Sequence, residues 1–238
     1  MIIRDAQAQL NRLAQQFKAI AVIGPRQAGK TTLVRATFPN KPYVSLENPD
    51  TRRFALEDPR GFLAQFSEGA ILDEAQRTPE IFSYLQQILD ETNERGLFVL
   101  TGSNNFLLQE NISQSLAGRI GYQQLLPFTM NELGAENLGD SDEMIMKGGY
   151  PPLYDGKFEI STWFSNYIRT YVERDVRQIK GITDLLLFER FIRLCAGRTG
   201  QLLNMNNLSV EVGIDSKTVA SWLSVLESSF IVFRLKPH

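Results

Sequence analysis

Gly24-Pro25-Arg26-Gln27-Ala28-Gly29-Lys30-Thr31 fits the phosphate-loop pattern G-x-x-x-x-G-K-[ST] without a gap. The flanking residues supply the strand and helix that the pattern requires. Ala19 to Ile23 (AIAVI) is continuously apolar, as a strand buried on both faces must be. Thr31 to Ala36 (TTLVRA) reads as the first turns of a helix. Backbone N–H groups of the loop, and the positive end of the helix dipole, would then face a di- or triphosphate. Gly24 and Gly29 keep Cβ atoms out of the wrap around the anion. Lys30 supplies a point charge to the β- and γ-phosphates, and the Thr31 hydroxyl is placed to ligate Mg²⁺. The predicted phosphate cradle therefore comprises Gly24, Pro25, Arg26, Gln27, Ala28, Gly29, Lys30, Thr31 and Thr32. Arg26 fits equally well as a solvent-facing side chain.

Outward from the loop, short apolar runs alternate with helical ones. Ile2 to Phe17 spaces Ile3, Ala6, Leu10, Leu13, Ala14 and Phe17 as one face of a helix that packs beside the first strand. Tyr43 to Leu46 is a second strand, and Arg52 to Phe66 a helix broken at Asp58-Pro59. Gly69 to Glu74 is a third strand. Thr78-Pro79 opens a helix with the stripe Ile81, Leu85, Ile88 and Leu89. Leu97 to Leu100 and Gly121 to Phe128 complete the set. Five strands separated by helices predict an α/β fold with a parallel sheet covered on both faces.

The third strand ends in Asp73-Glu74, at the carboxyl edge where open α/β sheets bind ligands. From there Asp73 can hold Mg²⁺ through water beside Thr31, and Glu74 can orient and deprotonate an attacking water. A kinase of small molecules has no need of that glutamate; a hydrolase does. Ser103 and Asn104 end the neighbouring strand, where they suit either γ-phosphate sensing or simple turn formation. Arg119 suits either a charge reaching a neighbouring subunit's γ-phosphate or an ordinary salt bridge.

The bulk composition narrows the alternatives. Of 238 residues one is cysteine (Cys195) and one is histidine (His238), which excludes an intrachain disulfide, histidine-dependent triads and histidine metal clusters. No apolar run approaches the roughly 20 residues of a membrane helix, and no signal-peptide core opens the chain, so a cytoplasmic location is expected. Residues 1–168 carry 15 basic and 20 acidic side chains, and residues 169–238 carry 10 and 7. Any electrostatic affinity for nucleic acid therefore lies in the C-terminal part, and it is weak.

A polar, Gly-rich stretch from Gly134 to Asp142 and the turn Gly148 to Pro152 place a domain boundary near residue 145, giving domains 1–145 and 146–238. Beyond it Ser161 to Ile179 and Leu185 to Ala196 are helical. Leu208 to Phe233 has a helix-turn-helix rhythm with Gly213 at the turn and Asp215 or Ser216 as cap. Val219, Trp222, Leu223 and Leu226 form the inner face of its second helix, and Ser229 to Leu235 is expected to be a strand, as in a winged helix. Ser216, Lys217, Thr218, Ser221 and Ser224 face outward, a set that fits duplex DNA or a protein partner.

Gly24 to Thr32, Leu72 to Arg77 (LDEAQR), Thr101 to Asn104, Ser115 to Arg119 and Leu126 to Leu133 (LPFTMNEL) together resemble the prokaryotic AAA-type ATPases that carry a C-terminal domain of unknown function, nuclease-like in fold. Gly148 to Pro151, Tyr171 to Val176 and Leu194 to Gly200 extend the resemblance over essentially the whole chain. The resemblance implies a five-stranded ATPase core, Mg-ATP hydrolysis and a helical DNA-binding-like module; a homo-oligomer is expected only if Arg119 acts on a neighbouring subunit. It also implies a nuclease-like region beyond Lys236-Pro237-His238, where this chain stops.

Overall fold

The computed structural model describes residues 2–102, 105–156, 158–174, 182 and 184–235. The chain divides into two compact units, Met1–Lys157 and Phe158–His238. The turn at Gly148 lies within the first of these units.

The first unit runs α1 (Ala6–Gln16), β1 (Ala19–Ile23), α2 (Lys30–Thr37), β2 (Tyr43–Ser45), α3 (Pro49–Glu57), α4 (Pro59–Ala64), β3 (Ile71–Asp73), α5 (Ile81–Glu91), β4 (Phe98–Thr101), α6 (Asn105–Ser115), β5 (Ile120–Gln124), α7 (Met130–Leu133) and α8 (Ser141–Lys147). Its five strands form one sheet in the order β2-β3-β4-β1-β5, with every pair parallel. β1 is central, and all five of its residues are buried. Strand alternation sends Ile20 and Val22 to one face, where they join Leu10 and Leu13 of α1 and Leu33 and Val34 of α2. Ala21, Leu72 and Leu100, also buried, point to the opposite face.

Several boundaries differ from the expectation for local reasons. α1 begins at Ala6, and the N–H of Asp5 before it donates to Glu132 Oε1 at 2.8 Å. Ile3 is left 78% exposed, outside the stripe assigned to it. Thr78 does not cap α5: it is fully buried, and its hydroxyl donates back to the Ala75 carbonyl. The break at Asp58-Pro59 is present, and Asp58 caps α4 through the Gly61 N–H.

The second unit contains α9 (Ile160–Arg174), α10 (Leu185–Ala196), α11 (Met205–Val212) and α12 (Ser216–Ser228). The expected continuation of α9 to Ile179 lies outside the described residues. Phe188, Phe191, Leu208, Val212, Val219, Trp222 and Leu226 form its core, with Trp222 edge-on to both phenylalanines at 5.1 and 5.4 Å. Asp215 caps α12, accepting from the N–H groups of Lys217 and Thr218. The winged strand expected over Ser229 to Leu235 does not form. Ile231 and Val232 pack against the helical core instead, and Arg234 grips Glu227 of α12 with two hydrogen bonds. Among the described residues no helix is long and apolar enough to cross a membrane.

Candidate nucleotide site

Three residues of the loop between β1 and α2 have positive φ. Gly24 (φ 151°) lies so close to β5 that a Cβ there would sit 2.0 Å from the Leu125 carbonyl oxygen. Gly29 (φ 89°) occupies the left-handed region directly before α2, and no side chain caps that helix. Gln27 shares a positive φ of 59° without being glycine. The buried Lys30 ammonium donates to the carbonyls of Gly24 at 2.8 Å and Pro25 at 2.7 Å. Two loop carbonyls are thereby turned onto one cation, and the uncapped start of α2 is what an anion would meet.

A second cation braces the loop from behind. Arg4 donates to the Ala28 carbonyl at 2.8 Å and to the Leu126 carbonyl at 2.6 Å, and its Nε lies 3.0 Å from Glu132 Oε1. Both side chains of this pair are nearly buried, 9% and 3% exposed. Glu132 also closes the capping box of α7 with Thr129, while the Arg4 guanidinium stacks 4.7 Å over Phe128. Neither residue stood out as functional in the sequence. Arg4 sat in what read as a helix face, and its partners lie 24 to 128 positions away.

At the carboxyl edge of the sheet, Asp73 gathers hydroxyl groups from three elements. It accepts from Thr31 Oγ1 at 3.0 Å and Tyr43 Oη at 2.6 Å on one oxygen, and from Thr101 Oγ1 on the other. Burial, and then the bond to Asp73, push the Tyr43 phenol up to about 12. Arg35 lies 4.8 Å over the same ring. These are hard oxygen donors, the set that Mg²⁺ prefers, and Thr31 with Asp73 would hold the ion. Glu74 follows in a left-handed conformation, φ 57° and ψ 40°, and accepts from Gln76 Nε2 at 2.5 Å. The sequence reading missed Tyr43, Thr101 and Gln76. The parallel pairing of β3 with β2 (Tyr43↔Ile71, Ser45↔Asp73) and with β4 (Leu72↔Leu100) brings Tyr43 and Thr101 beside Asp73, and Gln76 lies in the turn that follows β3.

Ser103 and Asn104 lie outside the described residues. Arg119 stands at the other end of the sheet, where its carbonyl accepts from the Ala19 N–H. At about 3.3 Å per strand residue, β1 separates it from its own phosphate loop by roughly 16 Å. There it forms a two-pronged pair with Asp90, 2.6 and 2.8 Å, which lowers the carboxyl's pKa. In the second unit burial pushes the Cys195 thiol up to about 11, away from the thiolate that reactive cysteines need.

The sheet order, the loop and the acidic strand end define a P-loop NTPase fold. The chain belongs to the AAA domain family, which matches residues 16–134, and a domain of unknown function (DUF8612) matches residues 138–238. Two uncharacterized proteins, of Mycobacterium bovis and Mycobacterium tuberculosis, are each 31% identical over 98% of this chain. The match covers 53% of each, so the chain spans about half the length of these relatives. Among solved structures, the Walker-type ATPase PABY2304 of Pyrococcus abyssi superposes with a TM-score of 0.58 at 14% identity, covering 96% of this chain and 90% of that one.

Proposed function

We propose that this chain binds Mg-ATP in the phosphate loop and hydrolyses it. The observation that carries the reading is the meeting of Thr31 and Asp73 at 3.0 Å, two oxygen groups drawn together from 42 positions apart at the mouth of an uncapped helix. Lys30 exchanges its loop carbonyls for the β- and γ-phosphate oxygens. Thr31 and Asp73 would hold Mg²⁺, which would supply positive charge against those phosphates. Glu74 orients the attacking water and accepts its proton. Ser103 and Asn104 are assigned to the γ-phosphate side on their sequence position alone. The archaeal neighbour's own description as a Walker-type ATPase agrees with the reading.

Phosphate release separates turnover from mere binding. Lys30→Ala should lower ATP affinity about 100-fold or more, since a buried charge-assisted contact is lost. Glu74→Gln should keep binding and lose about 100-fold or more in turnover. Equal, near-background rates in the wild type and Glu74→Gln would leave a nucleotide-gated switch, in which ATP binding alone drives the output.

Self-association is assigned to Arg119. It lies beyond reach of its own loop, so any catalytic use is in a neighbouring subunit, and Asp90 must first release it. Turnover per chain should then rise with protein concentration and fall in Arg119→Ala; a rate per chain that stays flat on dilution removes the assignment.

For the second unit we assign duplex DNA to the outer face of α12, where Lys217, Ser221 and Ser224 are exposed after the sharp turn at Gly213. Ser216 is committed inward, its hydroxyl bonded to Asn206 at 2.8 Å. With one cation on this face the salt dependence should be shallow, and Lys217→Glu should lower the salt slope by about 1. Absence of DNA binding at low salt would leave α12 as a protein-docking face.

A further inference from the structure

We propose that Gln76 positions Glu74, an inference that rests on the ATPase reading for its consequence but not for its geometry. Three neighbouring features lock one another. Glu74 adopts a left-handed backbone that costs energy in any residue with a Cβ. Gln76, in the single turn Ala75–Arg77 that follows, is nine-tenths buried, and its amide nitrogen lies 2.5 Å from Glu74 Oε2. Gly102, at the end of β4, supplies the room for that amide. A Cβ built there would stand 2.2 Å from Gln76 Oε1 and 3.0 Å from its Cδ.

The other half of the amide shows what the side chain is for. Gln76 Oε1 is sealed from solvent and has no hydrogen-bond partner among the described residues. An orphaned acceptor in the interior is a cost that methionine, of similar length and shape, would avoid altogether. Packing therefore does not account for a glutamine here; the N–H donor does. That donor holds the carboxylate to one orientation at the strand end, beside the Asp73 cluster. A base is effective only when held near its productive geometry by a side chain that is itself locked. Gln76 acts through Glu74 and is a positioning residue, not a catalytic one.

The test is Gln76→Met, which keeps volume and removes the donor, in the full chain. Turnover should fall about 10- to 100-fold, with ATP affinity within about threefold of wild type. In the Glu74→Gln background the same substitution should have no further effect, because its target is gone. Losses that multiply in the double variant, or unchanged turnover in Gln76→Met, overturn the proposal. Gly102→Ala provides the second variant: it crowds the amide from the strand side and should produce the same split between turnover and affinity. A crystal structure of Gln76→Met supplies the readout that does not depend on turnover. Glu74 should leave its left-handed conformation and its carboxylate should shift. If the wild type binds ATP but shows no Glu74-dependent hydrolysis, the ATPase reading fails alone, and the position of Glu74 in that structure still decides whether Gln76 holds it.

Discussion

The carboxyl edge of the sheet and the outer face of α12 are both candidate contact surfaces, and they are built on opposite plans. At the sheet edge, polar side chains are buried and tied to one another: Lys30 to loop carbonyls, Arg4 to Glu132 and Ala28, and Asp73 to three hydroxyl groups. On α12 the apolar residues are inside and the polar ones face water, with Lys217, Ser221 and Ser224 exposed. Buried polar groups are tolerated only when satisfied, so the first arrangement commits the protein to one geometry. The second tolerates exchange of its outer residues. The proposed function assigns chemistry to the first surface and adaptable contact to the second.

The largest effects should come from cutting each plan at its centre. Arg4→Ala leaves the Glu132 carboxylate buried without its charge partner, and breaking such a pair costs about 3–5 kcal/mol. Trp222→Ala empties the aromatic cluster of the second unit at a similar cost, about 3–5 kcal/mol. Urea unfolding should show comparable losses. Their consequences should differ, however: Arg4→Ala frees the Ala28 carbonyl and should weaken ATP binding about tenfold in protein that remains folded, whereas Trp222→Ala should leave ATP affinity within about twofold of wild type. Equal loss of nucleotide affinity in both variants would erase the contrast between the two regions.

The same contrast explains what the sequence disclosed. The α11–α12 pair was legible, apart from the inward turn of Ser216, because its information is local: helical spacing of Val219, Trp222, Leu223 and Leu226, glycine at the turn, and a cap at Asp215 or Ser216. The phosphate loop was legible because its chemistry demands a contiguous pattern. The bracing of Arg4 by Glu132 was not, since 128 positions separate them and each looks ordinary alone. Nor was Tyr43, whose role depends on a strand register that no window of sequence contains. The failed strand after Ser229 is the converse case. Apolar β-branched residues suggested a strand, but Ile231 and Val232 found partners in the helical core, and tertiary packing overrode propensity.

The smallest effect expected at the sheet edge is that of Tyr43→Phe, and its pH dependence sharpens the comparison. Asp73 keeps its bonds from Thr31 and Thr101, and Tyr43 is 36% exposed, so the loss at neutral pH should be about 0.5–1 kcal/mol. Burial and the bond to Asp73 hold the native phenol protonated up to about 12, whereas in the unfolded chain it ionises near 10. Between those values the native state binds the additional proton, so this contribution to stability is complete below about pH 10 and is lost as pH rises toward 12. The phenylalanine variant has no such proton to lose. The stability difference between wild type and Tyr43→Phe should therefore be constant through neutral pH and shrink above about pH 10, as measured by urea midpoints across the alkaline range. A difference that stays constant to pH 12 would mean that Tyr43 is not coupled to the buried carboxylate. Its hydroxyl would then belong with those of Ser221 and Ser224, on a surface that water already satisfies.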